Sequence, residues 1–214
     1  MKKSILTAIA FTFCAFVPTL VKAQKPMTEG KVVYEISFPD MEMDDQMKAM
    51  MPTESVVYFK GSMSRTDLSM GMGMSSSSIC NAKTGDITSL TDFMGNKTYM
   101  TTNADKVSAK QGDPSPKIES TNEAKDIAGY SCKKNTLTMK DGTSLEIYTT
   151  DKINSQMGMV PGGKDLKGFA MEYSLDQGGM KMKFVAKSVT AEKVSDDMFK
   201  DRKSTRLNSS HIPL

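Results

Sequence analysis

The sequence predicts a mainly β protein: a curved antiparallel sheet or incomplete barrel with one short methionine-faced helix. Three observations carry this. Short runs alternate apolar and polar residues with period two, turn signals separate most of them, and one segment alone keeps a helical period.

In Lys31 to Phe38, Val32, Tyr34, Ile36 and Phe38 share one strand face, opposite Lys31, Glu35 and Ser37. Similar runs cover Ser55 to Lys60, Met63 to Met70, Ser75 to Cys80, Asp86 to Leu90, Lys97 to Thr101, Tyr130 to Met139 and Ser144 to Thr150. The last pair, Phe169 to Leu175 and Met180 to Ala191, flanks Asp176-Gln177-Gly178-Gly179. Lys60-Gly61, Thr84-Gly85-Asp86, Gly95-Asn96 and Asp141-Gly142 supply turn chemistry, the last predicting a tight hairpin. The helical segment starts from Asp40 as N-cap, repeats Met43, Met47, Met50 and Met51 on one face, and stops at Pro52. Two polar stretches, Asn103 to Lys125 and Asp151 to Lys167, read as long loops.

The two ends are read apart from this domain. Lys2 and Lys3, the apolar run Ile5 to Leu20 and Val21-Lys22-Ala23 have the three parts of an export signal, so residues 1–23 are expected to be removed. Cys14 lies inside that apolar run, lacks the small residue that precedes a lipidated cysteine, and leaves with it. Export places the mature chain in the periplasm, with secretion as the alternative, and leaves no segment able to span a membrane. Asp201 to His211 reads DRKSTRLNSSH, which resembles the translation of a short-read sequencing adapter, so residues 201–214 are read as non-native. Residues 24–200 are then a single β-rich domain whose own C-terminus lies further on.

The formal charge of +3 comes from the ends. Six of the 28 basic residues and one of the 25 acidic ones lie there, leaving 22 against 24, so no basic balance favours nucleic acid. The single histidine, His211, also lies in the tail. Without it, Ser-His-Asp, Cys-His and histidine-zinc chemistry are excluded. The pairs Asp44-Asp45 and Asp196-Asp197 read as helix starts or solvated faces, and no glycine-rich phosphate loop is present. A protein that is not an enzyme, without cofactor, is expected.

Two mature cysteines, Cys80 and Cys132, would meet oxidising surroundings, where a disulfide and a pair of buried free thiols are both open readings. The strongest compositional signal is methionine, 20 in the whole chain and 19 after Met1. Three readings stand. Thioethers can fill an irregular core. They can line an adaptable groove for a lipophilic group, with Met43, Met47, Met50, Met51, Met171, Tyr173, Met180, Met182 and Phe184 as candidates. Or they can bind Cu(I), for which Met70, Met72, Met74, Met157 and Met159 have suitable spacings.

Gly30-Lys31-Val32-Val33-Tyr34-Glu35-Ile36, then Tyr58-Phe59-Lys60-Gly61 with Ser64-Arg65, then Ile127-Ala128-Gly129-Tyr130-Ser131-Cys132-Lys133-Lys134, resemble a group of exported bacterial proteins, domain-of-unknown-function family 4412. The order of strand, Phe-Lys-Gly, arginine strand and an Asp92-to-Tyr99 hairpin also looks like the LolA and LolB lipoprotein-carrier fold, in pattern rather than in motif, over most of residues 29–200. That resemblance implies an incomplete barrel around a helical lid with a cavity for acyl chains, and hence lipid or lipoprotein acyl chains as partners. The chain departs from such a carrier in having six mature phenylalanines, no tryptophan and many methionines. Arg65 matches the early-strand arginine of the carriers, and pairing with Asp67 or Glu54 is its structural reading. The function expected is a non-enzymatic envelope protein binding a lipophilic ligand. Cu(I) binding and a purely structural module are the alternatives.

Overall fold

The computed structural model describes residues 25–71, 73–103, 116–140, 142–155, 160, 165–177 and 179–200. The export-signal and tail assignments lie outside these residues, as do Met72, Met157 and Met159. The elements are β1 (Glu29–Ser37), α1 (Asp45–Met50), β2 (Glu54–Lys60), β3 (Met63–Met70), β4 (Met74–Asn81), β5 (Asp86–Phe93), β6 (Asn96–Asn103), β7 (Lys117–Ile127), β8 (Tyr130–Thr138), β9 (Ser144–Thr150), β10 (Phe169–Gln177), β11 (Met180–Thr190) and a closing 3-10 turn, Asp196–Phe199. Among the described residues no helix is long and apolar enough to cross a membrane.

The strands form one antiparallel sheet in the order β6-β5-β4-β3-β2-β1-β11-β10-β9-β8-β7. It stays open, because its edge strands β6 and β7 do not pair with each other. Its middle is not flat. β2 and β10 have β1 and β11 between them, which in a flat sheet would separate them by about 14 Å, yet the Phe59 and Phe169 rings lie 5.4 Å apart. The segment before β1 also bridges in parallel to the segment after β9, with the Met27 amide donating to the Lys152 carbonyl at 2.7 Å and the Asn154 amide to the Met27 carbonyl at 2.7 Å.

This rolling explains how one sheet can bury a core. Val32, Tyr34 and Ile36 of β1, Val57 and Phe59 of β2, and Phe169, Met171 and Tyr173 of β10 are all buried in one cluster. Tyr173 stacks on Phe184 at 4.8 Å and meets Tyr34 edge-on at 5.8 Å. Burial holds both the Tyr34 and the Tyr173 phenol well above the usual tyrosine range.

Two expectations are corrected. The helix is capped by Asp44, whose carboxylate accepts from the Met47 amide at 2.7 Å, so it starts later and is shorter than the methionine period implied. Asp40 instead pairs with Lys181 at 3.7 Å. The polar stretch Asn103 to Lys125 is not all loop: from Lys117 onward it belongs to an edge strand, β7, which runs on to Ile127. Of the two readings left open for the cysteines, the structure holds the unbonded one: Cys80 on β4 and Cys132 on β8 are buried thiols with six strands between them in the sheet order. Burial pushes the Cys132 thiol up to about 11.

Candidate functional site

Antiparallel connection sorts the turns to two ends of the sheet, and the methionines follow that sorting. The crossover holding α1, the β3–β4, β5–β6 and β10–β11 turns, and the loop from Met139 to Thr143 all lie at one end. Met43, Met47, Met50, Met51, Met70, Met74, Met94 and Met180 therefore gather there. At the opposite end, Thr28, Gly61, Ser62, Ala82, Lys83, Asn154 and Ser155 line a cleft of about 310 Å³, where the buried Ser155 hydroxyl has no hydrogen-bond partner among the described residues.

The groove candidates divide between core and surface. Met171, Tyr173, Met182 and Phe184 are buried in the aromatic cluster and act as core residues. Met43, Met51 and Met180 are partly buried against that cluster. Met47 and Met50 of α1 face outward, and no residue of the helix is buried. The helix end is seated on the β3–β4 turn, where the Gly71 amide donates to the Met50 carbonyl at 3.2 Å. A Cβ at Gly71 would collide with the Ala49 carbonyl oxygen, so only glycine permits this approach.

Beside this contact Met70 and Met74 are directly opposed across the β3–β4 pair. Met74 stands one position beyond the Ser75–Asp92 pair, level with Phe93 at the end of β5. Register places Met70, Met74, Phe93 and Met100 on the sheet face that carries the core: Val57 pairs with Thr66, Thr66 with Ser78, Ser78 with Ser89 and Ser89 with Met100. From core to edge that face changes from aromatic to hydroxyl-rich, bordered by an apolar rim. Met47, Met50, Phe93, Met94 and Met100 are 39% to 64% exposed. An exposed apolar group of this kind is the informative departure from ordinary surface composition.

Phe93, Met94 and Met100 were not among the residues expected to bind. Two apolar residues directly before the Gly95 turn signal were the cue in the sequence. Three ion pairs lie near the rim: Asp40 with Lys181, Asp45 with Lys48 at 3.8 Å, and Asp92 with Lys97 at 3.8 Å. Among the described residues no cluster of His, Cys, Asp or Glu could hold a metal. Of the copper candidates, Met70 and Met74 are adjacent across two strands.

Arg65 lies away from the rim. Its Nε donates to Asp67 at 2.7 Å and its Nη1 to the Met198 carbonyl at 3.1 Å, while Lys60 donates to the Val194 carbonyl and to Asp196. These contacts hold the C-terminal 3-10 turn against β2 and β3, which is the structural reading of Arg65.

Comparison with solved structures finds partial likeness at low identity. PNGF-II, in a C2 crystal form, is 18% identical with a TM-score of 0.49 over 81% of this chain, which spans 30% of that protein. A β-barrel-like protein of domain-of-unknown-function family DUF1849 from Brucella abortus is 8% identical with a TM-score of 0.40, over 79% of this chain and 100% of that one. MucB is 8% identical with a TM-score of 0.33, over 81% of this chain and 57% of that one. No curated protein matches the sequence significantly. The model of DUF4412, a domain of unknown function, matches residues 29–160, from the start of β1 past the end of β9, and the chain belongs to that family.

Proposed function

We propose that this protein is an exported, non-enzymatic module of the cell envelope that binds a lipophilic group, such as an acyl chain, on the methionine and phenylalanine rim. The observation that carries the reading is Met94. It is 64% exposed and its φ is 51°, in the left-handed region. That backbone costs a side-chain-bearing residue roughly 1–2 kcal/mol, and leaving the side chain in water forgoes about 1.5–3 kcal/mol of burial. Both penalties oppose Met at a turn that Asn or Gly would suit, and a ligand that covers the side chain removes the second. Local strain of this kind is characteristic of functional positions. Thioethers on either side of the tip can repack around chains of differing shape.

The test is titration of the purified protein with a fluorescent fatty-acid probe whose emission rises in apolar surroundings. The expected result is saturable binding that Met50→Asp and Phe93→Asp each weaken at least about tenfold, with an unchanged circular dichroism spectrum. Absence of binding, or equal binding by both folded variants, overturns the reading.

A further inference from the structure

The open sheet has two edges, and they are built differently. β7 carries Lys117, Glu119, Glu123, Lys125 and Asp126 along its length, with a bulge between Ser120 and Ala124. Charges and bulges are the usual protections against edge-to-edge pairing. β6 has no bulge and little charge. It runs eight residues in unbroken register with β5, holds one charge, Lys97, and is exposed over its first six residues.

The directions of its backbone groups follow from the hairpin. Phe93 pairs with Asn96 across the two-residue loop Met94-Gly95, which closes such a hairpin as a hydrogen-bonded pair. Alternation along an antiparallel ladder then turns the N–H and C=O of Lys97, Tyr99 and Thr101 away from β5, towards the open edge.

We propose that β6 is a dimerisation strand, pairing antiparallel with β6 of a second copy about a twofold axis at Tyr99. This register matches the outward groups with one another: Tyr99 with the partner's Tyr99, Lys97 with the partner's Thr101, and Thr101 with the partner's Lys97. No like charges oppose, and three residues per copy complete their hydrogen bonds. The axis stands normal to the sheet, so the faces of the two copies remain continuous. Thr98 then lies beside the partner's Met100, in a close pair without ladder bonds. The asymmetry of the edges selects a second copy as occupant. Because β7 is blocked, the edges cannot join β6 to β7 in an open chain, and the self-complementary contact closes at two copies. The inference is independent of the lipophilic-ligand reading.

Sedimentation of the full chain across micromolar concentrations tests it. The native protein is expected to be a dimer. Thr101→Pro removes an outward N–H in each copy and no bond to β5, so it should weaken dimerisation at least about tenfold while the circular dichroism spectrum is kept. Thr101→Lys sets two lysines against each other at each end of the contact and should also weaken it, and Lys97→Glu combined with Thr101→Lys should restore it. A monomer at every concentration, a dimer unaffected by T101P, or failure of the charge pair to rescue overturns the proposal.

Discussion

The Tyr34 hydroxyl on β1 donates a 2.6 Å hydrogen bond to the Ala170 carbonyl on β10, reaching across the intervening β11. The acceptor lies at the bulge where the β9–β10 register shifts between Ala170 and Glu172. A phenol on one strand thus satisfies a carbonyl two strands away, which requires the sheet to roll over its apolar face.

Tyr34→Phe should therefore cost more than the loss of one ordinary hydrogen bond. It keeps the ring against Tyr173 but leaves the Ala170 carbonyl without its buried donor, a penalty of about 1–3 kcal/mol. Urea unfolding followed by circular dichroism gives the difference. A loss below about 0.5 kcal/mol would show that water reaches the carbonyl and that the rolled core is looser than its ring contacts indicate.

Most of this architecture was legible from residue order. Strands with one apolar face, such as Val32-Tyr34-Ile36, declared themselves by period two, and the turn glycines Gly61 and Gly95 do take positive φ, 57° and 88°. β7 was not legible. Its sequence KIESTNEAKDI has little apolar alternation, since an edge strand with one free side is held mainly by its ladder to β8. The helix start was misplaced because Asp40 and Asp44 are both capping residues, and only contact with Lys181 shows which is engaged elsewhere. The site was half legible. Methionine frequency pointed to it, but sequence could not separate Met171 and Met182 in the core from Met47 and Met50 on the rim. That division depends on which strands roll together.

Cys132 should make stability fall at alkaline pH. Desolvation by burial, the first cause of its shift, raises the thiol from about 9.0 in the unfolded chain to about 11 in the fold. The protonated form is favoured by folding, so the contribution is fully present below the unfolded value and is lost as pH rises from about 9 to about 11. Unfolding free energy measured across that window should fall more steeply in the native protein than in Cys132→Ala. Identical slopes would place the thiol in contact with solvent.

Glu123 should contribute in the opposite direction. Its carboxyl lies below the usual range because it accepts from the Tyr148 hydroxyl, at 2.7 Å, and then from Lys134, at 3.3 Å. A lowered carboxyl stabilises the fold above its unfolded value, and that stabilisation is lost as pH falls through the folded one. The group is exposed, so the effect should be small and reduced by salt. Glu123→Gln should flatten the acid limb of the stability profile at low ionic strength. The variant and the native protein should converge at high salt, and an acid limb unchanged in low salt would count against the pairing.

Met94→Asn should separate stability from binding. Asn tolerates the left-handed backbone and creates an Asn-Gly pair suited to this two-residue hairpin, so the variant should gain roughly 0.5–1 kcal/mol. It also removes the apolar tip, so affinity for the fatty-acid probe should drop severalfold. Thermal unfolding and probe titration on the same sample read the two effects. A gain in stability with binding intact would make the turn strain incidental, because the methionine would then be neither favoured by the backbone nor used by a ligand. A gain in stability with lost affinity is the trade-off expected where strain is retained for function.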